Sequence, residues 1–262
     1  MQPEILVFSE RPAATGSLIP ALRTAFDSAN FTIRMVESGD LRKGILQRPE
    51  SRIFVLPGII GEDSAYPAQL DRKAHDDIHD FLQGGKNVVL TICAGTYFMC
   101  RDTLYEPAWG PRREHRSIAP LFNAAARGPL SPYSHISTPD SEYSDVSIVP
   151  IRFKGMDNRW HKTGICYGNG PALYPAHVND PDTEILAVFD NIPDNPAAIV
   201  RRRFGQGAVY LSGVLPELGY AAIAPAPGLE RIAQLMQDLK PHEMARRMLW
   251  STLTRRMKAD LA

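Results

Sequence analysis

Cysteine is scarce in this chain, neither charge is in surplus, and long apolar runs are missing. The three cysteines, Cys93, Cys100 and Cys166, include no Cys-x-x-Cys spacing, which excludes a disulfide framework and leaves free thiols suited to a reducing compartment. The 29 basic and 29 acidic side chains cancel, so the electrostatic footprint of a nucleic-acid binder or a polybasic membrane binder is absent. No stretch of about 18 uninterrupted apolar residues occurs, and the opening MQPEILVFSE carries charge without the apolar core of a signal peptide. The expectation is a cytoplasmic, soluble protein with no nucleic-acid or membrane partner. Its partner is expected to be a small molecule of unknown identity or a protein, a second copy of this chain included. No Walker pattern and no dinucleotide Gly-x-Gly-x-x-Gly precedes a helix, Gly168-Asn169-Gly170 being too short and misplaced for one, and no cofactor is expected.

With 262 residues and 44% apolar content the chain can bury one sizeable core. Strand and helix signals take turns along its first part. Glu4 to Phe8 is a short apolar run, Ser17 to Ala29 has helical apolar spacing, and Phe31 to Val36 alternates like a strand. Arg52 to Leu56 is a buried strand, Gln69 to Leu82 repeats Leu70, Ala74, Ile78 and Leu82 on one helical face, Gly84-Gly85 stops it, and Asn87 to Ile92 is again a strand. Such alternation predicts a mostly parallel sheet with helices on both faces. Residues 102–142, rich in Pro, Ser and Arg, show little periodicity and read as a long excursion over the sheet or the rim of a site. Strand-like runs return at Asp145 to Phe153, Gly164 to Tyr167, Glu184 to Phe189 and Ala198 to Phe204; the last joins Ala208 to Leu211 through Gly205-Gln206-Gly207 as a hairpin. A helical tail occupies 229–262. No repeat or low-complexity linker divides the chain, so a single domain over 1–262 is expected.

The chemistry concentrates at TICAGTYF, residues 91–98. An apolar strand runs into Cys93, and Ala94-Gly95 opens a segment compatible with a helix, as in a nucleophile elbow, where a strained central residue needs small neighbours because strand and helix pass closely. A helix start would lower the thiol pKa. Burial of an inert cysteine accounts for the turn equally well. Leu56-Pro57-Gly58-Ile59-Ile60-Gly61 follows the strand expected beside that of Cys93, and the N–H groups of Gly58 and Ala94 could together form an oxyanion hole.

LPGIIGEDSAY, GGKNVVLTICAGTYF, GICYGNGPALY and RRFGQGAVYLSGVLPE occur in that order. Together they resemble the class I glutamine amidotransferase-like fold, and most of all the family named for the N-terminal domain of biotin-protein ligases, over roughly residues 4 to 220. The resemblance implies a flavodoxin-like α/β fold. It places Asp63, Tyr66, Cys93, Ala94, Gly95, Tyr97, Tyr167, Gly168, Gly170, Pro216 and Glu217 on the family's pattern. Asp63, Tyr66, Tyr97, Tyr167 and Asn169 are expected around a ligand, because open α/β sheets bind ligands in the loops at the carboxyl ends of their parallel strands, and the resemblance makes Cys93 and Glu217 two members of a catalytic triad. Biotin transfer is not implied, since no ligase module is present.

Two positions depart from that pattern. Thr91 stands for the first glycine of the elbow, and Leu215 for the histidine of a His-Pro-Glu ending. A cysteine hydrolase uses imidazole to take the thiol proton and return it to the leaving group, which leucine cannot do. Replacement bases would come from His75, His79, His115, His135, His161, His177 or His242, with His115 and His135 foremost because they follow the elbow in the excursion. His75 and His79 share a helical face with Asp76 and Asp80 but lack the glutamate of a zinc hydrolase motif, so they read as a solvated face and no metal is expected. Three functions remain open: a noncatalytic or regulatory ligand-binding domain, a Cys93-dependent enzyme acting on an amide or ester, and a protein-interaction module.

Overall fold

The computed structural model describes residues 2–27, 29–61, 64–117, 119–136, 143–175, 180–223 and 230–262. In chain order the first elements are β1 (Glu4–Phe8), α1 (Leu18–Ala25), β2 (Thr32–Val36), α2 (Ser38–Arg42), β3 (Ser51–Leu56), α3 (Tyr66–Gln69), α4 (Arg72–Gln83), β4 (Val88–Ile92) and α5 (Ala94–Met99). There follow β5 (Cys100–Tyr105), β6 (Arg113–Arg116), β7 (Phe122–Gly128), β8 (Ser147–Lys154), β9 (Trp160–Tyr167), β10 (Ala172–Pro175), β11 (Thr183–Phe189), β12 (Ala197–Phe204), β13 (Gly207–Ser212), α6 (Glu230–Leu239) and α7 (Glu243–Leu261).

One half of the sheet is parallel, in the order β2-β1-β3-β4-β13. This is the flavodoxin-like order, with the last parallel strand contributed from far along the chain. Its central strands are apolar throughout because both faces are covered. Leu6, Phe8, Phe54 and Leu56 face one core with α4 and α5. Ile5, Val7, Ile53 and Val55 face another with α1 and α7. The α4 helix starts at Asp71, whose side chain accepts from the Ala74 N–H at 3.0 Å, and turns Ala74, Ile78 and Leu82 inward. Asp260 fastens α7 to the sheet, accepting from Tyr210 Oη at 2.6 Å and Arg201 Nε at 2.9 Å.

Beyond β13 the sheet turns antiparallel at β12 and forks, one branch running β10-β7-β5-β6 and the other β11-β8-β9. The stretch 102–142, expected as an irregular excursion, thus contributes β5, β6 and β7 to the same sheet. The signal was weak because β6 is largely exposed and the inward positions of β7 after Phe122 are the small residues Ala124 and Ala126, so neither shows large apolar residues in alternation. Within the expected tail, residues 230–261 form two helices broken at Lys240-Pro241-His242, where proline ends the helical hydrogen-bond ladder.

Candidate functional site

Cys93 sits between β4 and α5 with φ 50° and ψ −109°. A positive φ is costly for a side-chain-bearing residue and persists only where neighbours enforce it. Here the Cys93 N–H donates to Ser212 O at 2.8 Å, and its carbonyl accepts from the N–H groups of Thr96 and Tyr97 at 3.0 and 3.1 Å. Gly95 has to be glycine, because a Cβ would run into the Leu56 carbonyl and lie 2.9 Å from Leu56 Cβ. Thr91 fits where glycine was expected because its fully buried hydroxyl meets Thr96 Oγ1 at 2.8 Å. Thr96 Oγ1 in turn donates to Ser212 O at 2.9 Å and accepts from Ser212 N–H at 3.1 Å.

The Cys93 thiol donates to the Gly168 carbonyl at 3.0 Å. On its other side lies Gly58, where an added Cβ would stand 3.4 Å from Cys93 Cβ and 3.9 Å from Sγ. Three bonds pin that loop: Ala14 N–H to Gly58 O (2.9 Å), Ile60 N–H to Pro12 O (2.8 Å) and Tyr66 Oη to Pro57 O (2.7 Å). The Ala94 N–H faces the sulfur. Gly58 and Ala94 therefore border the thiol from two directions.

A cavity of about 270 Å³ opens over this point, lined by Cys93, Ala94, Tyr97, Asp145, Gly168 and Asn169, with Ile59 and Phe98 as apolar wall. The β5–β6 hairpin closes its outer side through Tyr105, Arg113, Glu114 and His115. Tyr97 Oη donates to Asn169 O at 3.1 Å. The Asn169 amide nitrogen donates to His135 O at 2.7 Å and Asp145 Oδ2 at 3.3 Å, while its oxygen accepts from the His135 N–H at 3.2 Å. Tyr66 and Tyr167 are fully buried behind this wall. Tyr167 Oη donates to Gly170 O at 2.8 Å and accepts from the Leu130 N–H at 2.6 Å, so both tyrosines hold the loops that bear the wall. Asp63 lies outside the described residues.

Leu215 follows β13, donates its N–H to Cys166 O at 2.8 Å, and packs within 3.4 Å of where a side chain on Gly168 would begin. Glu217 is buried and acts electrostatically on both Cys93 and Cys166. The thiol pKa is the main departure from the sequence reading. Burial first, then the charge of Asp145, push Cys93 up; the Ala94 N–H pulls down, as a helix start should, but is outweighed. Burial likewise raises Asp145, to about 6.

Of the histidines, His115 lines the cavity, and His135 reaches it through its backbone bonds to Asn169. Burial and Arg231 push the His135 imidazole pKa down. His75 and His79 are not a solvated face: both rings bond Ala119 O, at 3.2 and 3.1 Å, and pack against aromatic rings, His75 tilted on Phe98 and His79 edge-on to Phe204. The segment between β6 and β7 that covers them carried no strand or helix signal. His161 bonds Asp157 at 3.2 Å, His242 packs beside Gly164, and His177 lies outside the described residues. Among the described residues no group of three or more His, Cys, Asp or Glu could hold a metal ion. No sequence signal marks Asp145 as part of the site: it stands at the start of a strand-like run, far along the chain from Cys93.

The flavodoxin-like order gives the chain an α/β fold that matches glutamine amidotransferase-like proteins. Its fold matches a glutamine amidotransferase from Thermotoga maritima with a TM-score of 0.57, 12% identity and 98% of each chain covered. It also matches the protein SMU.1228c with a TM-score of 0.55, 12% identity, and 98% of this chain and 100% of that one covered. Within that class the chain belongs to the family described as "Biotin-protein ligase, N terminal", whose pattern matches residues 3–261. An uncharacterized protein of Chlamydia muridarum (strain MoPn / Nigg) is 28% identical over 173 residues, covering 65% of this chain and 61% of that protein. Among the described residues no helix is long and apolar enough to cross a membrane.

Proposed function

We propose that this chain is a noncatalytic or regulatory domain that binds a small molecule in the cavity beside Cys93. The observation that carries this reading is the resting state of the thiol: it keeps its proton, donates it to Gly168 O at 3.0 Å, and has leucine where the family pattern supplies imidazole. A thiol enzyme needs a thiolate, and the two carboxylates acting on Cys93 oppose one. What remains is a cavity with aromatic walls and a few fixed polar groups, the usual make-up of a small-molecule site.

One observation favours a second reading, a Cys93-dependent hydrolase or amidotransferase: His115 lines the same cavity. Ammonia release from glutamine, measured for the wild type and Cys93→Ala, separates the two. The binding reading expects no Cys93-dependent release; turnover lost in Cys93→Ala would replace it with the enzymatic one, and His115→Ala would then identify the base.

A further inference from the structure

We propose that the inner end of this cavity is a cation subsite, in which Asp145 pairs with a protonated amine of the ligand while the rings of Tyr97, Phe98 and Tyr105 hold the ligand's apolar body. The inference deepens the binding role proposed above and rests on it.

Asp145 enters the cavity from the segment before β8 and meets the thiol across a single residue. Its Oδ2 lies 3.8 Å from the point where a Gly168 side chain would begin, and the Gly168 carbonyl is the acceptor of the Cys93 thiol. Asn169 Nδ2 fixes the carboxylate at 3.3 Å; that amide is itself held by the His135 backbone, whose carbonyl accepts from Nδ2 and whose N–H donates to Oδ1, while Tyr97 Oη donates to the Asn169 carbonyl. Orientation is thus supplied by neutral donors. Among the described residues Asp145 has no ion-pair partner, and Arg231 of α6, which donates to Val146 O at 3.3 Å, acts on it only at longer range. A carboxylate held in a half-dry cavity by neutral groups is one half of an ion pair, and a ligand cation completes it.

The surroundings decide the sign of the ligand. Asp145 and Glu217 both act on the sulfur, so an anionic group placed there would meet two carboxylates. The groups facing Asp145 are Cys93 at the elbow, Tyr167 on β9 and Arg231 on α6. Arg113, Glu114 and His115 of β6 border the outer side of the same cavity, where Arg113 stands 5.9 Å from the Tyr105 ring centre. With its pKa raised to about 6 by burial, Asp145 is an anion at neutral pH and loses its charge as the pH falls through that value. Amine binding should therefore weaken on acidification.

Three probes of matched body test this by calorimetry and thermal shift: 2-phenylethylamine, 2-phenylethanol and 3-phenylpropanoate. For the wild type at about pH 7.5, the amine is expected to bind roughly tenfold more tightly than the alcohol, and the carboxylate more weakly than either. At about pH 5 the preference for the amine should shrink to a few-fold or less, because most of Asp145 is then protonated. Asp145→Asn should erase the preference while leaving binding of the alcohol in place. Equal binding of amine and alcohol to the wild type, a preference for the carboxylate, or an amine preference that survives in Asp145→Asn would overturn the subsite. So would the absence of any binding at about 10 mM, where a millimolar site is nearly full. The ammonia assay run on the same preparations keeps the two proposals apart: Cys93-dependent turnover with an intact amine preference removes the noncatalytic reading alone, and a silent enzyme without the preference removes the subsite alone.

Discussion

Thr91→Gly installs the residue that the family pattern carries at the start of the elbow, and it should destabilise this protein by about 3 kcal/mol. The hydroxyl of Thr91 is fully buried and bonded to Thr96 Oγ1 at 2.8 Å, an interaction worth about 1 kcal/mol net. Losing the buried methyl and Cβ removes about 1 kcal/mol or somewhat more of apolar burial. Glycine inside a strand adds about 0.5–1 kcal/mol through the freedom it gives the unfolded chain. Thr91→Val keeps the volume and costs less, about 1 kcal/mol, because Thr96 Oγ1 retains its bonds to Ser212 O and Ser212 N–H at 2.9 and 3.1 Å. Urea unfolding of the three proteins, compared by midpoint at unchanged slope, gives the two differences. If Thr91→Gly came within about 1 kcal/mol of wild type, the elbow would have no need of the threonine, and the argument from buried volume would be refuted. If valine cost as much as glycine, the hydroxyl would carry the effect and the ledger above would be wrong in kind.

Limiting iodoacetamide followed by peptide mapping should label Cys93 before Cys100 and Cys166, since it alone is only partly buried while the other two are fully buried; faster labelling of either other thiol would refute the assignment. Asp145→Asn should speed that labelling, because removing a negative charge lowers the thiol pKa and enlarges the thiolate fraction. Leu215→His should fail to produce ammonia release from glutamine, because the new ring must reach Cys93 and Glu217 together in a space now packed around leucine; a rate clearly above wild type would show that space to be preorganised. Burial tends to raise Glu243, but bonds from Arg246, Arg247 and the Tyr220 N–H win and hold it near 2, below its ordinary 4.5. A depressed carboxylate stabilises the fold above its unfolded value and loses that contribution as the pH falls from about 4.5 towards 2, so the unfolding free energies of wild type and Glu243→Gln, measured in urea at a series of pH values, should converge over that window from a difference of about 1 kcal/mol once solvent screening is allowed for.

The parts of this fold that could be read from the sequence are those whose signal is local. β1, β3 and β4 are continuous apolar runs because both their faces are covered, and α4 shows its buried face through Ala74, Ile78 and Leu82. The elbow was legible because Gly95 has to be small for a steric reason that holds wherever helix and strand cross so closely. What stayed hidden depends on distant partners. β6 is exposed, and β7 offers little beyond alanine to mark its pairing with β5 and β10. The family pattern marks Tyr66, Tyr97 and Tyr167 alike, and nothing in it distinguishes a tyrosine that lines the cavity from one that props up a loop. The expected acidity of the Cys93 thiol failed for a related reason: a helix start is visible in the sequence, whereas the burial that chiefly raises the thiol, and after it the charges of Asp145 and Glu217, come from chain segments far from it.

The hydrogen bond from Cys93 to Ser212 also fixes when this site comes into being. β4 can pair with β3 as soon as both have left the ribosome, but its other neighbour, β13, is synthesised only after the whole antiparallel half of the sheet. Until residues 207–212 emerge, Cys93 lacks one of the bonds that hold its backbone at positive φ, and Thr96 lacks Ser212. The native pairing therefore predicts that the cavity closes only with the completion of the sheet. A chain cut short before β13 would lose the site along with the strand, even though every residue from Gly58 to Asn169 were present.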